Sequence, residues 1–551
     1  MRRTHLSLLL GFSLLIGSIP SHAQAPAAAK APPLFEGLGG LTRKVTTSSP
    51  EAQRYFDQGL AFVYAFNHDE ALRAFRHAAE LDPGCAMAWW GVAYANGPHI
   101  NNPAVPPDHA AAAWKATGQA MSSAAAGTPV ERALIDALVR RYADPQPDDR
   151  KPLEQAYADA MRKVWQANPK DADVGALFAE SLADLRPWDL WMPDGKPQPG
   201  TEELIATLDA VLALDPKHPL ANHLMIHAVE ASPHPEKADA AADALRDLQP
   251  GLGHMVHMPS HIDVRRGRWS QSIVANAKAI EADRRYTAIS TEQGFYRLYM
   301  SHNHHMLTYG AMMTGQSAMA MTSIRTMIAD IPLEFFKENS WADGFMAMPL
   351  ETMMRFGKWN ELLAEPPFPD FVPISRTLQH YARVVAWAAK DDLASARKEQ
   401  ALFREARAKV PADAVFGNNT GADILGVAES VMEGEILVRS GKIDEGIAAL
   451  REGVKREDAL RYNEPPDWIQ PVRHPLGAAL LQAGRFAEAE TVFREDLAKL
   501  PENGWGLYGL GRALRLQKKN KEAGEVEARF KAIWKDADVK LKSACLCLPG
   551  V

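Results

Sequence analysis

From about residue 50 to about residue 540, apolar residues recur at i, i+3 and i+4 with Ala and Gly between them. That is the period of amphipathic α-helix, not the alternation of a half-buried strand. The helical pattern itself repeats, and self-similarity at a fixed period marks an array of helix pairs. In the 34 residues from Ala52 to Cys85, the residues Tyr55, Gly59, Phe62, Ala71, Phe75, Ala78 and Pro83 fall at unit positions 4, 8, 11, 20, 24, 27 and 32. Small residues at fixed places let two helices cross closely, and a proline ends the second helix because it cannot continue one. The register returns along the chain. Trp89 and Ala93 open the next unit; Ala238 and Pro250 fit a unit from Pro219, Gly267 and Trp269 one from Gly253, and Gly315, Ala320 and Pro332 one from Ser301. Gly477, Gly484, Phe486, Ala489 and Pro501 fit another, followed by Gly511 and Ala523.

This register resembles the tetratricopeptide repeat (TPR), a 34-residue helix-turn-helix. The resemblance implies an all-α, TPR-like solenoid of about a dozen antiparallel helix pairs. Pro-rich inserts stretch the spacing at Pro98 to Pro107, Arg186 to Gly200, Pro366 to Pro373 and Glu464 to Pro475, and are expected to rim the groove or divide the solenoid. The expected organisation is a signal peptide over 1–23, a flexible leader over 24–50, N-terminal repeats with inserts over 51–218, histidine-rich central repeats over 219–342, C-terminal repeats over 343–540 and a hydrophobic tail with Cys545 and Cys547 over 541–551. The segments Ala221-Asn222-His223, Ile226 to Ser232 and His257-Met258-Pro259-Ser260-His261 are also similar to a group of exported bacterial TPR proteins; that similarity implies scaffold and export, and no reaction.

Composition narrows the setting. The chain has 551 residues, 46% apolar and 23% charged, which is globular material too long for one compact core. Leu6 to Ile19, preceded by Arg2 and Arg3 and followed by Ser21-His22-Ala23, reads as a secretory signal peptide cut after Ala23. A periplasmic or secreted protein with no membrane span after cleavage is expected. Loss of 1–23 leaves 59 Lys and Arg against 68 Asp and Glu, a charge of the wrong sign for coating nucleic acid, which is not expected as a partner. Three cysteines, Cys85, Cys545 and Cys547, make no disulfide framework.

The usual catalytic signatures are missing from the sequence: no phosphate-cradling Gly loop, no G-x-S-x-G, no H-E-x-x-H and no C-x-x-C-H. Histidine placement carries the signal instead. The TPR resemblance implies that positions 2, 5, 9 and 12 of each first helix face the concave groove. In three successive units these read Leu220, His223, His227, Glu230; His254, His257, His261, Val264; and His302, His305, Tyr309, Met312. Seven of the twelve are His although the chain holds only 18, where chance placement gives fewer than one. His223/His227 and His257/His261 stand at i, i+4, so each pair is a bidentate clip on one helix face. Neighbouring helix axes lie ~8–10 Å apart, close enough for the clips to converge.

Imidazole suits Cu, Zn and Fe. The candidate metal ligands are therefore His223, His227, His257 and His261, with His254, His302 and His305 as additional or second-metal ligands. Seven rings exceed one tetrahedral site, which leaves nuclearity open. Glu230 and Tyr309 are the candidates for proton transfer if the site is catalytic, as a metal-dependent hydrolase or oxidase acting on a small molecule or peptide in the groove. The rival is a metal-free TPR adaptor for a peptide or protein partner, which leaves the histidine register unexplained. Haem between two facing histidines lacks an attachment motif.

Pro259 is expected to kink its helix, or to leave His254 and His257 on the loop before it. The methionines near the histidines read mainly as core. Trp188 and Trp191 in the 186–200 insert read either as a wall for a ligand or as pins holding the insert down. Further groove candidates are Trp90, Tyr94, His99, Glu351, Trp468, Arg473 and His474.

Overall fold

The computed structural model describes residues 31–548. The expected signal peptide lies outside the described residues, as do residues 24–30 of the leader. Pro33 onward forms one compact unit, in which 26 α-helices follow one another and the only strands among the described residues are the two-residue pair Val415–Phe416 and Asn419–Thr420. Consecutive helices pack on each other, first against second and second against third, along almost the whole length. The fold is an all-α, TPR-like helical-repeat solenoid. Among the described residues, no helix is long and apolar enough to cross a membrane.

The repeat rests on small residues facing one large ring. In the first unit the Pro50–Tyr64 and His68–Leu81 helices pack, and a Cβ on Gly59 would stand 2.6 Å from the Phe75 ring. Gly91, on the next helix, faces the same ring at 2.4 Å. Near the other end Gly477 and Gly509 stand against Phe493 at 2.3 and 2.2 Å. One phenyl ring thus fills the gap between two first helices, and burying it contributes ~1.5–3 kcal/mol per site.

Two long stretches have their own apolar clusters, Val45 to Tyr299 and Ala347 to Leu548. A third cluster, including Val264, Trp269, Tyr309, Met312 and Trp505, joins the last repeats to the central ones. Polar tips fix that junction: Trp269 Nε1 donates to Pro501 O and Trp505 Nε1 to Met312 O, both at 2.8 Å. The junction brings the Glu464 insert beside the central histidines.

Two expectations change in detail. From Pro33 on, the leader is not free: Phe35 N donates to Gln58 Oε1 at 2.9 Å, and Gln249 Nε2 donates to Leu38 O at 3.0 Å. Nor does Pro259 put His254 and His257 on a loop. Helices Gly253–His257 and Pro259–Arg265 meet at Met258, which keeps helical φ and ψ of −50° and −38°. Proline costs the path one backbone hydrogen bond at that step, but the chain stays helical across Met258, so one helical path carries all three rings. Met255, Met258, Met306, Met312 and Met313 are fully buried in the core.

Candidate metal centre

The Pro219–Val229 helix is buried along its entire length. Pro219 starts it, and the His218 ring caps it by accepting from Ala221 N at 3.2 Å. Its i, i+4 pair, His223 and His227, sits with ring centroids 5.0 Å apart. The second pair, His257 and His261, sits at 4.7 Å. His254 comes from the turn before, and His302 from the Arg297–Thr314 helix.

What each ring does with its Nδ1 decides the chemistry of its Nε2. His223 Nδ1 lies 2.9 Å from the carbonyl of Tyr64, one of the last carbonyls of its helix and so without an intrahelical partner. His257 Nδ1 lies 2.7 Å from Asn276 Oδ1, and Asn276 Nδ2 donates to Ser272 O at 2.9 Å, which fixes the amide's orientation. Glu230 serves two rings: its Oε1 is 2.8 Å from His227 Nδ1 and its Oε2 is 2.5 Å from His261 Nδ1. All these partners accept, so each Nδ1 carries a hydrogen and each ring turns its Nε2 away from that partner.

Those Nε2 atoms converge. His223 and His254 meet Nε2 to Nε2 at 3.1 Å, His257 and His261 at 2.7 Å, and His261 and His302 at 3.5 Å. His227 Nε2 is buried with no hydrogen-bond partner. Ring nitrogens of His223, His227 and His254 lie mutually within 4.8 Å, and so do those of His257, His261 and His302. Two nitrogens bound ~2.0–2.1 Å from one ion are ~2.9 Å apart at a right angle and ~3.4 Å apart at the tetrahedral angle. The observed separations bracket those values. Two lone pairs facing at 2.7 Å repel unless a cation sits between them, and a single proton satisfies only one pair of a three-nitrogen set.

Burial sets the charges. Desolvation, reinforced by the neighbouring rings, pushes His223, His254, His257 and His302 well below the ordinary imidazole range, so these rings are neutral near pH 7. Burial works against an ionised Glu230, but the His261 and His227 rings outweigh it and hold the carboxyl at about 2. Glu464 goes the other way: burial and the Glu230 charge push it well above the carboxylate range. Its Oε2 is 3.1 Å from His261 Nδ1, yet neither oxygen has an aligned hydrogen-bond partner. Arg265 Nη1 donates to the Glu230 carbonyl.

The set borders a cavity of about 600 Å³, reached by His227, His254, His261, His302 and His305. Inserts form its walls, as their positions suggested: Asn101 and Trp188 from two of them, Glu464 and Asp467 from a third. Trp188 fits both of its readings. It lines the cavity, and its Nε1 donates to Asn101 Oδ1 at 3.0 Å. Trp191 fits both as well, donating to Ala228 O at 2.8 Å and lining a second cavity of about 560 Å³.

Of the seven predicted rings, six form the two sets. His305 lines the cavity but belongs to neither; its Nε2 is buried without a partner, and burial lowers it to about 3. Tyr309 is not brought to the rings. It packs on Trp269 at 5.3 Å and lines a separate cavity of about 270 Å³ that shares Glu464. Sequence reasoning did not single out Glu464, Asn276 or Phe66, whose ring lies against His99, His223, His227 and His254. Cys545 and Cys547 are disulfide-bonded beside the buried Glu435; only after reduction would their thiolates be available to a metal.

No family model matches the chain, and no curated protein does. Among solved structures it is similar to human IFIT1 in a dimer with m7Gppp-AAAA, at 11% identity over 89% of this chain and 91% of that one, TM-score 0.31. The Cut9-Hcn1 heterotetramer of APC/C gives 11% identity over 88% and 74%, TM-score 0.30. Yeast Tom70 gives 13% over 86% and 90%, TM-score 0.28. The chain's own helix-pair architecture is one that presents extended surfaces for protein interaction.

Proposed function

We propose that this chain is an exported metalloprotein that holds a transition metal, Cu, Zn or Fe, on imidazoles from its central repeats. One observation carries the reading: Nε2 lone pairs converge at 2.7–3.5 Å while the Nδ1 atoms of four of the rings are tied to oxygen acceptors. Ligand histidines characteristically donate their second nitrogen in this way, which fixes the tautomer and raises ligand basicity. Without a metal, one proton could satisfy each facing pair, but His227 Nε2 would stay buried without a partner. A peptide docked on the solenoid surface would not touch His223 or His257, which are fully buried.

A bound ion with an open position supplies Lewis-acid or redox chemistry to a small molecule in the 600 Å³ cavity. The chain's own contribution is to orient the rings through Glu230, Asn276 and Tyr64 O, and to shape the cavity with its inserts. Hydrolysis and oxidation are both compatible with that arrangement.

The test is metal analysis of the protein purified from its own compartment, beside a His223→Ala/His227→Ala double variant. Stoichiometric metal in the parent and its loss in the variant support the reading; equal, negligible content in both leaves the adaptor role. Fractionation and N-terminal sequencing test export, with a mature chain beginning at Gln24 expected.

A further inference from the structure

We infer that the array is a two-ion centre: one ion on His223, His227 and His254, a second on His257, His261 and His302. The inference rests on the metal reading above and goes beyond it in nuclearity and ligand assignment. Each trio has ring nitrogens mutually within 4.8 Å. Between the trios, His227 and His261 stand 5.6 Å apart by ring centroid and His254 and His257 stand 5.8 Å apart. Centroids within a set are as far apart, up to 6.5 Å for His227 and His254, so the division rests on the ligand atoms: among the described residues, the one potential metal group that draws on both sets is His227, Glu230 and His261.

A single central ion is the competing arrangement. It would take His227, Glu230 and His261, whose ligand atoms also lie within 4.8 Å of one another. Those atoms are already satisfied: the Glu230 oxygens accept from both Nδ1 atoms at 2.8 and 2.5 Å. A central ion must displace both hydrogens and break both bonds. The two trios instead offer atoms with nothing to lose, including the unpartnered His227 Nε2 and the facing Nε2 pair of His257 and His261. Glu230 then acts as a positioning residue common to both sites, orienting one ligand of each with one carboxylate and setting a negative charge between two cations. Three nitrogens leave at least one position open on each ion, and His227, His254, His261 and His302 all border the same cavity. The centre would thus present two ions to one small ligand, the arrangement that clamps both ends of a reacting group.

The test is native mass spectrometry of the full mature chain titrated in parallel with zinc(II) and copper(I). Two bound ions are expected for at least one metal, falling to one in His254→Ala and to one in His302→Ala. His302 is partly exposed, so its variant tolerates truncation best, and circular dichroism confirms that each variant is folded. One ion in the parent that survives in both variants overturns the two-ion centre while leaving the metalloprotein reading standing. No ion of either kind, with none bound from iron(II) titrated in the same way, overturns both.

Discussion

Glu230→Gln is the most informative single substitution because it is nearly isosteric and touches both trios at once. Glu230 is buried, with 2% exposure, and accepts from His227 Nδ1 at 2.8 Å and from His261 Nδ1 at 2.5 Å. A glutamine keeps one acceptor oxygen. Its amide nitrogen must then face the second ring's N–H, donor to donor. The outcome is one lost charge-assisted bond and one unsatisfied buried donor, together ~1–3 kcal/mol of folding stability. Metal affinity falls too, because loss of an orienting partner costs ~10–100-fold, or ~1.4–2.7 kcal/mol. Removal of a negative charge beside the cations acts in the same direction. The assay is competition against a chelator of known affinity for zinc(II), at fixed pH, with urea unfolding of the metal-free protein alongside. Both quantities should drop. Unchanged zinc affinity in a folded variant would refute the claim that Glu230 positions ligands.

Three further outcomes follow from other parts of the molecule. Gly59→Ala places a Cβ 2.6 Å from the Phe75 ring and should destabilise by ~1–3 kcal/mol, read as a lower urea midpoint; no change would mean the helix crossing is looser than described. Tyr309→Phe should leave metal content and affinity as in the parent, since the hydroxyl belongs to a separate cavity; loss of metal would place it in the centre. Glu490, although burial opposes its charge, is held at about 2 by Lys519, Arg494 and Gln517. A carboxyl depressed on folding stabilises above its unfolded pKa, and that gain is lost as pH falls. The stability advantage of the parent over Glu490→Gln should therefore be full at pH 7, shrink from ~4.3 downward and vanish near 2; a difference independent of pH would contradict the assignment.

The repeat was legible in the chain because its signal is local: Gly59 and Phe75 stand 16 residues apart, and Gly477 and Phe493 repeat the interval. Six of the centre's rings were legible for the same reason, since a helical register projects His223 and His227 on one face whatever surrounds them. Their partition into two trios was not, because it depends on the angle between helices, and His305 belongs to neither set although its register position matches. The orienting groups were out of reach for a different reason. Tyr64 contributes a backbone carbonyl, which no side-chain pattern encodes. Asn276 sits in the Trp269–Ile289 helix, which carries no histidine to mark it, and Glu464 arrives from an insert more than two hundred residues beyond Glu230, through the docking of the last repeats on Trp269 and Met312.

X-ray absorption at the edge of the bound metal, on protein isolated from its own compartment, meets the central claim most directly. The account predicts a first shell of nitrogen and oxygen at ~2.0–2.1 Å with the outer-shell pattern of several imidazoles, lost in His223→Ala/His227→Ala. A first shell dominated by sulfur at ~2.3 Å, locating the metal at Cys545 and Cys547, would contradict it.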